Sequence, residues 1–139
     1  MRLIFILVFL LFASNLHAVE IVVIVNEAGP LVNLSAPNIR DIYLGEKRFE
    51  GDIKISATNY SEGPIKDVFF TAVLKMTSKE YRLYWTKKLF QAGGTAPMVM
   101  NNPQNIIETV RKTKGAIGYV AKEDLKDIKG IKIIKDISQ

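Results

Sequence analysis

The chain has 139 residues, 48% of them hydrophobic and 24% charged, with a formal net charge of +5. That length and apolar share fit one domain with one core, and the mixed charges exclude a disordered chain. Cysteine is absent, which excludes disulfides, thiolate metal sites and thiol nucleophiles.

Arg2 is followed by an unbroken apolar run, Leu3 to Phe12, a break at Ser14-Asn15 and a small residue at Ala18. This is the pattern of a secretory signal peptide over residues 1–18. The run is shorter than the about 20 residues that a membrane span needs. No cysteine is available to carry lipid, so the expected product is a soluble periplasmic protein, residues 19–139, and not a lipoprotein. The single histidine, His17, lies in the leader, which leaves the mature chain without imidazole chemistry or histidine zinc ligands. No metal, no cofactor and no enzymatic activity are expected. The lysines of 122–135 interleave with Glu123, Asp124 and Asp127 and read as a solvated face, so no nucleic-acid partner is expected.

Val19 to Val25 is rich in β-branched residues and predicts a strand buried on both faces, as in a parallel sheet. Glu27 to Pro30 turns the chain. Ser35 caps a helix with Ile39, Ile42 and Tyr43 inward, and Gly45 stops it. Ile53, Ile55 and Ala57 alternate with polar residues and predict a second strand. Gly63-Pro64 opens a helix with Ile65, Val68, Phe69, Ala72 and Val73 as its buried stripe. Thr77 and Glu80 have the spacing of a capping box, and the helix they open carries Tyr81, Tyr84, Trp85 and Leu89 on one face. Residues 91–100 read as a loop. Asn102-Pro103 opens a further helix with Ile106, Ile107 and Val110 inward, ended by Gly115. Ala116 to Val120 and Ile131 to Ile134 predict two more strands, the last at an edge guarded by Lys132 and Lys135. Strands alternating with helices predict an α/β domain, its sheet mostly parallel with helices on both faces.

In such sheets ligands gather at the carboxyl ends of strands. The segment Asn59 to Lys66 joins a strand to a helix start, where free backbone donors and a partial positive charge suit an oxyanion. Ser61 supplies a hydroxyl, Gly63 close approach and Lys66 charge, with Asn59 in support. Pro64 lacks an N–H, and Glu62 brings a negative charge to the same place. Gly94 and Thr95, in the glycine-bearing loop, are a second candidate for backbone donors.

Leu34 to Lys47 with its Leu-Gly-Glu-Lys ending, Ser61-Glu62-Gly63-Pro64 leading to Phe69, Tyr84-Trp85, and Lys114 to Val120 together resemble the substrate-binding proteins of phosphate ABC transporters, chiefly their short single-domain relatives. The resemblance covers nearly all of 19–139. It implies one lobe of a type II periplasmic-binding-protein-like fold that recognises phosphate or another small oxyanion and is linked to ABC-type phosphate uptake. In the family's full-length members an arginine and a Gly-Ser-Gly-Thr stretch hold the phosphate between two lobes. Here Asn59 stands near the arginine position and Ile65 replaces the threonine, which implies weak phosphate binding, or none, by the monomer. The implied partners are a small anion, a transporter permease or another envelope protein, and a second copy that rebuilds a cleft. The alternative reading is an envelope protein–protein interaction module that has lost its ligand.

Overall fold

Strand β1 (Glu20–Asn26) runs through the middle of the protein with six consecutive residues, Ile21 to Asn26, buried. In the computed structural model, which describes residues 19–138, it is flanked by β6 (Ala116–Ala121) and β7 (Ile131–Ser138). The segment 1–18, read above as a leader, lies outside the described residues. The sheet is completed by β4 (Ser56–Tyr60) and β5 (Met98–Met100), in the order β5-β4-β6-β1-β7. A separate two-residue hairpin, β2 (Phe49–Glu50) with β3 (Ile53–Lys54), stands beside it.

Parallel pairings join β4 to β5 and to β6, while β1 is antiparallel to both β6 and β7. Four strands therefore point one way and β1 alone points the other. Burial on both faces, which suggested a parallel neighbour for β1, arises here because helices cover both faces of the sheet. At the far edge, β7 carries exposed Lys132 and a bulge opposite Val23 and Ile24, where the register slips by one residue.

Helix α1 (Ala36–Tyr43) starts at Ser35, whose hydroxyl accepts from the Asn38 amide at 3.3 Å. Helix α2 (Pro64–Phe69) runs on into a π-helical turn, Phe70–Leu74, that ends at Lys75 in a left-handed conformation. That widening adds Phe70 and Leu74 to the buried set. Helix α3 (Ser78–Ala92) is capped by Thr77, whose Oγ1 accepts from the Glu80 amide at 3.1 Å and donates to the Glu80 carboxylate at 3.2 Å. Tyr81 and Trp85 are buried, but Leu89 is exposed, because this helix overlies α1 and the π turn rather than the sheet. The 91–100 segment is not all loop: α3 reaches Ala92, and Met98–Met100 forms the edge strand β5. Three residues between turns are too few for a period to show.

Helix α4 (Pro103–Lys112) and helix α2 sit on opposite faces because successive strand residues point to opposite sides. Tyr119 points to the α2 face, where its ring stacks on Phe69 at 3.8 Å and 7°. Gly118 points to the α4 face. A Cβ there would lie 2.7 Å from Ile106 Cγ2 and from Thr58 Oγ1, so only glycine lets α4 approach this closely. Asn26, at the end of β1, donates through Nδ2 to the Val110 and Arg111 carbonyls and so closes the end of α4. Among the described residues no helix is long and apolar enough to cross a membrane.

Candidate functional site

Three connections gather at the carboxyl ends of the parallel strands. They are 61–63 after β4, 101–102 after β5 and the short 3-10 turn Lys122–Asp124 after β6. In the first, Gly63 is the N-cap of α2 with φ 118, a conformation that disfavours any side chain. It offers no capping side chain, and Pro64 occupies the first turn. Among the described residues, the amides of Ser61, Glu62, Gly63, Ile65 and Lys66 donate to no protein acceptor, whereas that of Asp67 binds the Gly63 carbonyl at 3.1 Å. The loop therefore keeps free donors, as helix starts do.

Its charges are arranged less openly. Lys66 folds back so that Nζ donates to the Ser61 carbonyl at 2.9 Å and lies 3.8 Å from the Glu62 carboxylate and 5.3 Å from the Phe70 ring centroid. Glu62 is the exposed partner of that pair and forms no hydrogen bond to the loop amides. The ammonium thus braces the loop and offsets Glu62 at the same time.

Beneath the loop lies a chain of buried hydrogen bonds. The Tyr119 hydroxyl accepts from the Tyr60 amide at 3.2 Å and donates to Asn59 Oδ1 at 2.9 Å. Asn59 Nδ2 donates to the Tyr81 hydroxyl at 3.0 Å, and that hydroxyl donates to the Tyr43 carbonyl at 2.9 Å. Trp85 Nε1 donates to the same carbonyl, and the Tyr43 hydroxyl returns to the Thr58 carbonyl at 2.9 Å. Asn59 is only 3% exposed and uses both ends of its amide inside the protein. It supports the loop from below and does not reach its surface. Burial raises the pKa values of Tyr43 and Tyr119 well above the ordinary phenol value and lifts that of Tyr81 to about 12.

Tyr60, the last residue of β4, departs from this pattern. Its hydroxyl is buried and has no partner among the described residues, and burial pushes its pKa up to about 12. Such a group is costly to leave unmade. Sequence reasoning missed it: a tyrosine closing a strand reads as core, and which hydroxyls find partners depends on packing across four elements.

Gly94 and Thr95 do not join this edge. The register Thr58↔Met98 and Tyr60↔Met100 runs β5 alongside β4, so the loop before Met98 sits at the amino end of β4. The five residues of β4 set its two ends four steps apart, roughly 13 Å. Thr95 instead lines a cavity of about 260 Å³, together with Arg48, Lys54, Ser56 and Trp85. Gly94 is exposed, with φ 102. The two candidate segments are thus two separate places.

No family model and no curated protein matches the chain. Solved structures do. An ABC-type phosphate transport receptor from Vibrio cholerae superposes with a TM-score of 0.63 at 18% identity, over 85% of this chain and 46% of that one. A substrate-binding protein assigned to phosphate ABC transport from Clostridium perfringens, solved with bound phosphate, gives 0.63 at 18% identity, over 85% and 45%. PstS from Borrelia burgdorferi gives 0.61 at 18% identity, over 85% and 48%. The fold is that of one lobe of a phosphate-transport binding protein. The chain spans less than half the length of each of these proteins. In this fold the 61–66 loop stands where open α/β sheets gather ligands, at the carboxyl ends of parallel strands.

Proposed function

We propose that the protein is an exported solute-binding-like module that takes phosphate or another small oxyanion at the carboxyl edge of its sheet. Ser61 and Gly63 make the contact, Lys66 supplies charge and Asn59 supports from beneath. The observation that carries this reading is the set of unengaged amides of Ser61, Glu62, Gly63, Ile65 and Lys66 at a helix start, held on a buried hydrogen-bonded platform. The reaction class is binding, not catalysis. The solved structures that share the fold are proteins of phosphate transport, which supports an anion as the solute and an ABC transporter permease as the downstream partner. Periplasmic localisation rests on the leader pattern of residues 1–18.

Weak binding is expected of this site, because among the described residues no arginine fork stands at the 61–66 loop. Titration calorimetry with inorganic phosphate and sulfate, with amide chemical shifts read in parallel, tests the proposal. The expected result is a saturable shift of the Ser61 to Lys66 amides at millimolar phosphate, weakened about threefold or more by Ser61→Ala. Absence of both heat and amide shifts removes solute capture.

The second reading is a protein-interaction module, a second copy or another envelope protein being the partner. Its specific support is the exposed apolar side chains Leu83, Leu89 and Phe90, which line one surface hollow along α3, with Phe90 93% exposed. A concentration-dependent dimer mass by light scattering, with no anion response, would favour it.

A further inference from the structure

The cavity at the amino end of β4 has a composition that the carboxyl edge lacks. Lys47, Arg48 and Lys54 all line it, and no aspartate or glutamate does. Lys47 is shared with Glu50 at 2.7 Å. Arg48 and Lys54 have no ion pair and no side-chain hydrogen bond among the described residues. The β2–β3 hairpin brings both to this cavity: Lys54 lies opposite Phe49, and the Ile55 amide donates to the Arg48 carbonyl at 2.9 Å. A cavity lined by cations with no carboxylate among its described lining residues carries a positive potential that a bound anion offsets.

The rest of the wall is of a different kind. Trp85 is fixed by its Nε1 bond to the Tyr43 carbonyl at 3.2 Å and stands with Ile55 as the apolar floor. Ser56 and Thr95 are the other lining residues with polar side chains. At about 260 Å³ the space falls just below the roughly 300–1,000 Å³ of drug-sized pockets, so its occupant is of metabolite size.

We propose that this cavity is a second binding site, distinct from the carboxyl edge, for a small organic anion with an apolar body: a carboxylate, sulfonate or phosphate monoester. Arg48 and Lys54 take the charged head, Ser56 and Thr95 orient it, and the body rests on Trp85. A bare inorganic anion leaves the apolar floor uncovered and binds poorly here.

Trp85 is the only tryptophan in the chain and lines this cavity, so tryptophan fluorescence reports on that wall. The purified protein is titrated with octanoate, with 1-octanol and with inorganic phosphate. The expected result is a saturable response to octanoate, about tenfold or more weaker for 1-octanol and for the Arg48→Gln/Lys54→Gln double variant. Both substituted residues are exposed, and an unchanged melting curve confirms that the variant is folded. Equal binding of 1-octanol, or unaltered octanoate binding by the double variant, overturns recognition of charge. No saturable response to octanoate at millimolar concentration overturns the site. A Trp85 response to inorganic phosphate as strong as that to octanoate overturns the need for an apolar body. Amide shifts at Ser61 to Lys66 follow the other edge, so either proposal can fail alone.

Discussion

At the carboxyl end of β4 the chain offers backbone amides over a buried ladder of tyrosine hydroxyls and one asparagine. At the amino end of the same strand it offers side-chain cations around an apolar floor. The first surface is held by packing: Phe69 on Tyr119, Tyr43 on Phe69 at 4.8 Å, and hydrogen bonds running from Tyr60 to Trp85. The second depends on a hairpin of two paired residues per strand and on long side chains that reach water. Backbone donors on a rigid support select by geometry, whereas mobile cations select by charge and adapt to the body of a ligand.

The largest test of that contrast removes the stack. Phe69→Ala is expected to cost about 3–5 kcal/mol, the usual range for emptying a buried phenylalanine. Met98→Ala, at the amino end and 63% exposed, is expected to change stability by less than about 0.5 kcal/mol. Urea unfolding of both variants measures the difference, and similar losses would deny that rigidity is concentrated at the carboxyl end.

A smaller effect separates the satisfied from the unsatisfied members of the ladder. Asn59→Ala strands the Tyr119 hydroxyl and is expected to cost about 1–3 kcal/mol. Tyr60→Phe deletes a buried hydroxyl that has no partner, so it is expected to be neutral or to stabilise by up to about 1 kcal/mol. A large loss in Tyr60→Phe would mean that this hydroxyl is engaged in solution.

The gentlest probe is alkaline pH. Tyr60 and Tyr81 have pKa values raised to about 12 from an ordinary 10.0, in both cases first by burial. The folded state therefore holds these protons more tightly than the unfolded chain does. Their contribution is complete below about pH 10 and is lost as pH rises towards 12. Phenolate absorbance followed with circular dichroism should show these tyrosines ionising only as the fold opens. Free ionisation near pH 10 with the fold intact would contradict the ladder.

Much of this architecture was legible in the residues. The β-branched run of β1, Ser35 and Thr77 as caps, Pro64 and Pro103 at helix starts, and the inward Ile106, Ile107 and Val110 of α4 are local signals, and each element forms within a residue or two of where they place it. The loop from Ser61 to Lys66 was legible for the same reason, since a glycine and a proline after a strand announce a helix start. Less legible were β5, too short to have a period, and the separation of Thr95 from Ser61. The latter turns on the parallel register of β4 with β5, which no local pattern encodes. Asn59 showed its polarity in sequence but not its burial, because its partners Tyr81 and Tyr119 lie 22 and 60 residues away.

Local chemistry alone determined the helix starts, the strands β1 and β6, the absence of thiols, and the place where a strand hands over to a helix, whereas the one strand expected over Ile53 to Ala57 divides into β3 and β4. The former follow from short-range sterics, capping and hydrophobic period, which act within a few residues. Only the tertiary structure decided that β1 runs against its neighbours, that Tyr60 keeps an unpaired hydroxyl, and that Arg48, Lys54 and Thr95 share a cavity with Trp85. Those depend on which distant segments pack together, and that choice is made by the core as a whole.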